Sequence, residues 1–178
     1  MILKPSELAP HTSNVIKKLF DKYLDPQLYQ VIEGKVEVAK ALTKLPLDII
    51  CFTGSTMTGR LVAIEAAKNL TPVVLELGGK CPVIMDETSN IDAALNRTLN
   101  GKFLNCGQTC IGVDHVYVHE SKKAQFKELL KAKYNLFYGG QNLETSEGNY
   151  GKIVNKFHID RLEKLLKDEH GGEVIFGG

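Results

Sequence analysis

The chain has 178 residues, of which 43% are hydrophobic and 24% charged, with a formal net charge of +1. That composition is ordinary for a globular protein, and its scattered lysines give no basis for nucleic-acid binding. No apolar run approaches the ~18 residues of a membrane span.

The four cysteines, Cys51, Cys81, Cys106 and Cys110, are too few and too unevenly spaced for a disulfide scaffold. With no basic–apolar–small leader pattern after Met1, they point to a reducing, cytoplasmic compartment. Metal binding is not expected. The C-x3-C of Cys106 and Cys110 has no second ligand pair, and His115 and His119 fall in a strand-like segment.

In chain order, Met1-Ile2-Leu3 reads as the end of a strand, and Pro5 blocks further pairing. A helix is predicted from Ser13, with Ile16, Leu19, Phe20 and Tyr23 on one stripe and Pro26 beyond it. Tyr29 to Ile32 is a short strand, and Val36 to Leu45 a second helix ended by Pro46. Leu47 to Phe52 is a strand, Gly54 to Gly59 a loop, and Arg60 to Asn69 a third helix. Val73 to Leu77 and Cys81 to Met85 follow as strands. Asn90 then caps a helix with Ile91, Leu95, Leu99 and Phe103 on one stripe, broken at Gly107. Val113 to His119 alternates as a strand. Ser121 opens a basic amphipathic helix bearing Phe126, Leu129, Leu130 and Phe137, its lysines read as a solvated face. A polar loop from Tyr138 to Tyr150, a helix from His158 to Asp168 and the apolar Val174-Ile175-Phe176 complete the chain. Alternating strand and helix implies an α/β fold with a parallel sheet covered on both faces.

Two stretches carry candidate chemistry. In Phe103 to Ile111, reading F-L-N-C-G-Q-T-C-I, Cys110 follows a turn beside the fresh backbone N–H groups of a helix entry, a setting that favours the thiolate nucleophile. A cysteine among apolar residues also reads as core. In Val73 to Lys80, V-V-L-E-L-G-G-K, a carboxylate sits in a buried-looking strand, so Glu76 needs a partner, a proton or a catalytic task. Ligands of parallel sheets lie at the carboxyl ends of the strands. The Gly54 to Gly59 turn leaves such an end, where helix-start N–H groups meet a phosphate, although it equally reads as a plain helix entry.

L-E-L-G-G-K followed by G-Q-T-C resembles the aldehyde dehydrogenase superfamily, and the flanks L-T-P-V-V-L-E-L-G-G-K and G-K-F-L-N-C-G-Q-T-C most resemble its class 3-like branch for fatty and aromatic aldehydes. The resemblance runs from Lys4 to about Gly178. It implies part of a Rossmann-like NAD(P)-binding domain over 1–77 and the first part of an α/β catalytic domain over 78–178. It further implies Cys110 as nucleophile, with its own N–H as one half of an oxyanion hole, and Glu76 as the base that activates water. Relatives that pass the acyl group to coenzyme A typically lack this glutamate, so hydrolysis to a carboxylic acid is implied. Gly54, Ser55, Thr56, Met57, Thr58 and Gly59 match the segment that meets the NAD pyrophosphate and nicotinamide side, and Leu77 also falls among the cofactor contacts. Thr58 replaces the usual valine, which should loosen apolar packing while keeping every N–H. Lys4 and Glu7 match the K-P-S-E that reaches the adenosine ribose, where Glu7 tilts preference to NAD without excluding NADP. Cys106 reads as packing or an oxidation liability.

The resemblance also implies departures. The tryptophan–asparagine segment that supplies the second oxyanion donor would lie upstream of Met1, and E-x-F-G-P beyond Gly178. The chain thus reads as a central slice of an enzyme that acts on a small-molecule aldehyde and is a homodimer when full-length, with no membrane anchor visible in this chain. The isolated slice is expected to be inactive. Two other readings stand beside it: a truncated chain acting at most as a subunit partner, and an unrelated thiol acyltransferase or hydrolase with His115 as base.

Overall fold

The computed structural model describes residues 1–139, 150–168 and 171–176. Residues 140–149 of the expected surface loop lie outside the described residues. The fold is α/β, and the chain divides into two compact units, Met1–Gly78 and Gly79–Gly178.

The first unit is built from two strand–helix–strand segments. Strand β1 (Ile2–Leu3), helix α1 (Pro10–Tyr23) and strand β2 (Gln30–Val31) form one, with β1 and β2 paired in parallel. Helix α2 (Val36–Leu42) leads to the other: strand β3 (Ile50–Thr53), helix α3 (Thr56–Ala67) and strand β4 (Val73–Glu76), again parallel, with Ile50 opposite Val73 and Thr53 opposite Glu76. A parallel pair requires a crossover, and each helix supplies it. The expected sheet is realised as separate two-stranded ladders.

Several boundaries differ from the sequence reading for local reasons. Helix α1 begins at Pro10, because a proline at the first turn lacks only an N–H that would have no helical partner. Ser13 therefore lies inside the helix, buried, with its hydroxyl on the carbonyls of Ser6 and Ala9 at 3.0 and 2.9 Å. Helix α3 begins at Thr56 rather than Arg60, because the Ser55 side chain accepts the Thr58 N–H and caps it. Residues 56–59 are thus the first turn of a helix, where a loop was expected.

The second unit pairs strand β5 (Pro82–Met85) with strand β6 (His115–Val118), parallel, Pro82 opposite His115. Between them run helix α4 (Ile91–Phe103), capped by Asn90, and a 3-10 turn over Leu104–Gly107. Helices α5 (Lys123–Tyr138) and α6 (Lys156–Lys167) follow. Val174–Phe176 form neither helix nor strand.

The core of this unit lies where the α4 stripe meets β5: Met85, Ile91 and Leu95 are fully buried, with Val83, Val116, Phe126, Leu129 and Leu130 packed around them. Lys133 departs from the expected solvated face of α5. It is buried, and its ammonium reaches Asp92 and Asn96 of α4, each at 2.7 Å. An ion pair with a second acceptor satisfies a charge that burial would otherwise penalise. Because Leu95 is 0% exposed, Leu95→Ala is expected to destabilise this unit by about 2–5 kcal/mol through lost transfer energy and a residual cavity. Urea unfolding followed by circular dichroism checks it; a loss below about 1 kcal/mol would move the core elsewhere.

Candidate active site

The carboxyl end of the β3–β4 pair carries two of the sequence-predicted groups together. The Gly54 N–H donates to the Glu76 carbonyl at 3.0 Å, so the turn into α3 and the end of β4 are joined through the backbone. Gly54 therefore has its amide committed to the sheet. The amides of Thr56 and Met57, at the start of α3, have no protein acceptor among the described residues. A free helix N-terminus of this kind accepts an anion. The Thr58 hydroxyl lies 2.9 Å from the Ser55 hydroxyl and completes the cap. Gly59 is buried, and a Cβ there would stand 2.8 Å from a Leu77 methyl, so the start of α3 lies directly against the residue after β4.

Glu76 itself is exposed, contrary to the buried carboxylate expected from its strand. The β4 pleat alternates, turning Val73 and Leu75 inward and Val74 and Glu76 outward. Its carboxylate carries no hydrogen bond or ion pair among the described residues and is open to water.

At the carboxyl end of β1, Lys4 and Glu7 hold one another at 2.8 Å, and the Lys4 ammonium also meets the Pro5 carbonyl at 3.0 Å. The hydrogen bond from Lys4 holds the Glu7 carboxyl below the usual glutamate range. A carboxylate with a lowered folded pKa stabilises the chain above its unfolded pKa, about 4.3, and loses that contribution as pH falls through the folded value. The difference in thermal midpoint between the parent and Glu7→Gln should accordingly be constant above about pH 5 and vanish in acid. It should be small, because an exposed pair contributes about 0–1 kcal/mol. A difference that grows in acid would refute the pairing.

In the second unit Cys110 lies on a turn before β6, closed by the Gly112 N–H on the Thr109 carbonyl at 2.9 Å. Cys110 is exposed and its own N–H has no acceptor among the described residues. The expected helix entry is not there: the next regular element is a strand. Nor is the break at Gly107 alone. Helix α4 ends at Phe103 because Asn105 and Cys106 turn left-handed, at φ 51° and 58°, before Gly107 at 74°. Asparagine tolerates that region; cysteine is an uncommon occupant. The turn stands at the amino end of the β5–β6 pair.

The sequence model of the Aldehyde dehydrogenase family matches residues 1–178. The chain belongs to the aldehyde dehydrogenase family. It is 46% identical over 177 residues to a 4,4'-diaponeurosporen-aldehyde dehydrogenase of Staphylococcus aureus, covering 99% of this chain and 38% of that protein. It is 42% identical over 180 residues to aldehyde dehydrogenase family 3 member I1 of Arabidopsis thaliana, covering 100% of this chain and 32% of the relative. Among solved structures, the substrate-bound state of Staphylococcus aureus AldH superposes with a TM-score of 0.84 and 47% identity, over 93% of this chain and 36% of that one. The chain thus spans about a third of the length of the relatives it matches.

Within this family frame, two sets of residues around the cysteine turn escaped sequence reasoning. Gln108 bridges distant backbone: its amide donates to the Asn105 and Lys152 carbonyls at 3.0 and 3.2 Å, and its oxygen accepts the Val154 N–H at 2.9 Å. Phe103, Tyr138 and Tyr150 form a ring cluster, with centroids 4.5 Å apart for Phe103–Tyr138 and 5.9 Å for Phe103–Tyr150. Cys106 is half-buried beside it, 3.1 Å from where a Cβ on Gly151 would stand. Burial, with Cys106 adding to it, pushes the Tyr150 phenol up. No periodicity signals either set; the Q in G-Q-T-C was the only local cue.

Proposed function

We propose that the protein carrying this chain oxidises an aldehyde to a carboxylic acid with NAD(P) as hydride acceptor. The observation that carries this reading is Cys110: an exposed thiol on a closed turn, with its own amide unengaged. The Cys110 thiolate attacks the aldehyde carbon and forms a thiohemiacetal. The Cys110 N–H donates to the oxygen that becomes negative, where a preorganised donor contributes most. NAD(P), held by Lys4, Glu7 and the start of α3, would supply the hydride acceptor, and loss of hydride from that carbon would leave Cys110 carrying a thioester. Glu76 removes a proton from water, the water oxygen attacks the thioester carbon, the C–S bond breaks, and the acid departs.

The first unit fits the nucleotide in its donor set. Thr56 and Met57 offer amides to a pyrophosphate beside Gly54, Ser55, Thr58 and Gly59, and Leu77 provides an apolar wall against α3. The Lys4–Glu7 pair offers an ammonium donor and a carboxylate acceptor suited to ribose hydroxyls, and the negative charge of Glu7 favours NAD over NADP. Met1–Gly78 is then the cofactor unit and Gly79–Gly178 the cysteine unit. The test is an acid quench of the intact protein during turnover with NAD and a medium-chain aldehyde, followed by peptide mass spectrometry. An acyl group on the Cys110 peptide is expected; an acyl group on another residue, or none, would reject the mechanism.

A further inference from the structure

A second thiol lies against the candidate nucleophile. Cys81 is half-buried just before β5, and its Sγ–H donates to the backbone carbonyl of Cys110 across 3.2 Å. The two segments are tied at two more points. The Asp114 N–H donates to the Cys81 carbonyl at 3.1 Å, extending the β5–β6 ladder by one step. The Lys80 ammonium pairs with the Asp114 carboxylate, which that contact holds below the usual aspartate range. Gly79, on the same segment as Cys81, also lies close, since a Cβ there would stand 3.3 Å from the Cys81 sulfur and 3.6 Å from the same Cys110 oxygen.

The carbonyl of Cys110 belongs to the peptide plane leading into Ile111, so anchoring it restricts ψ at Cys110 and the direction of its Cα–Cβ bond. The Thr109–Gly112 hydrogen bond spans the same residue. Cys110 is therefore exposed at its thiol and amide, yet held at its carbonyl. The holding group is a side chain, so it can be changed without touching the turn.

Resting on the assignment of Cys110 as nucleophile, we propose that Cys81 is its positioning residue. By donating to the Cys110 carbonyl, Cys81 keeps the thiol aimed and the Cys110 amide turned toward the oxyanion. Cys81 touches no reacting atom and forms no bond to substrate. What matters is its donor, so a hydroxyl at the same position should serve, and an apolar group of similar volume should not.

The experiment compares Cys81→Ser, Cys81→Ala and Cys81→Val in the intact protein, with Cys110→Ala as a separate control. Rates are normalised to the amplitude of the cooperative thermal unfolding transition, so that unfolded chain does not count. Cys81→Ser is expected within about twofold of the parent kcat, because a hydroxyl is a donor in the same place. Cys81→Ala and Cys81→Val should each lower kcat about tenfold, on the scale of a modest misplacement of the reacting atom, while KM for NAD stays within about twofold. Parent-like kcat in both apolar variants would overturn the proposal. So would a fall in Cys81→Ser as deep as in Cys81→Ala, or a parallel loss of NAD affinity, which would mark general damage. Turnover surviving in Cys110→Ala would instead reject the nucleophile assignment itself.

Discussion

Cys110→Ala is expected to bring NAD(P)-linked aldehyde oxidation by the intact protein to background, a loss of roughly 10⁴–10⁶-fold, as for removal of other catalytic nucleophiles. Cys106→Ala should keep most of the activity. The two thiols are close in sequence and different in setting. Cys110 is exposed on a turn, and its amide has no acceptor among the described residues. Cys106 is half-buried, left-handed in its backbone and turned toward Gly151 and the Tyr150 cluster. Alanine at 106 keeps the same backbone cost and removes only a sulfur. The measurement is steady-state NADH production by each variant with a simple aldehyde. A dead Cys106→Ala beside an active Cys110→Ala would reverse the assignment.

Glu76→Gln is expected to give a burst of NADH followed by turnover slowed about 10²–10⁴-fold, the usual cost of a lost general base. Hydride transfer precedes the step proposed for Glu76, so acyl-enzyme should accumulate. The substitution is clean on structural grounds. The side chain is exposed and makes no hydrogen bond among the described residues, and the Gly54 N–H is held by the residue 76 backbone carbonyl, which glutamine retains. The turn into α3 should therefore keep its place. Stopped-flow absorbance separates the outcomes: no burst, with the hydride step itself slowed, would remove Glu76 from deacylation.

The candidate site residues were named from two short contiguous motifs, L-E-L-G-G-K and G-Q-T-C, and from the family that these resemble. The environments were less so. A buried Glu76 was inferred from an apolar run, yet the β4 pleat turns it outward. Cys110 was placed at a helix entry, yet the left-handed Asn105 and Cys106 close α4 and the chain enters a strand. The Ser55 cap lengthens α3 into the Gly54–Gly59 segment because a hydroxyl at that position accepts the Thr58 amide, a pairing two ordinary residues do not advertise.

By itself, the sequence determined the α/β alternation, the apolar stripe of α4 and the two motifs that mark the family. These are local matters, set by periodicity, caps and residue chemistry within one or two turns of chain. Ile91, Leu95 and Leu99 are buried as their spacing requires. Only the tertiary structure decided that Cys81 holds the Cys110 carbonyl, that Gln108 reaches Lys152 and Val154, and that Lys133 is buried on Asp92 and Asn96. Each joins residues far apart in the chain. Their hydrogen-bonding capacity is written in the residue type, but the partner is chosen by how strands and helices pack, and linear spacing carries no record of that.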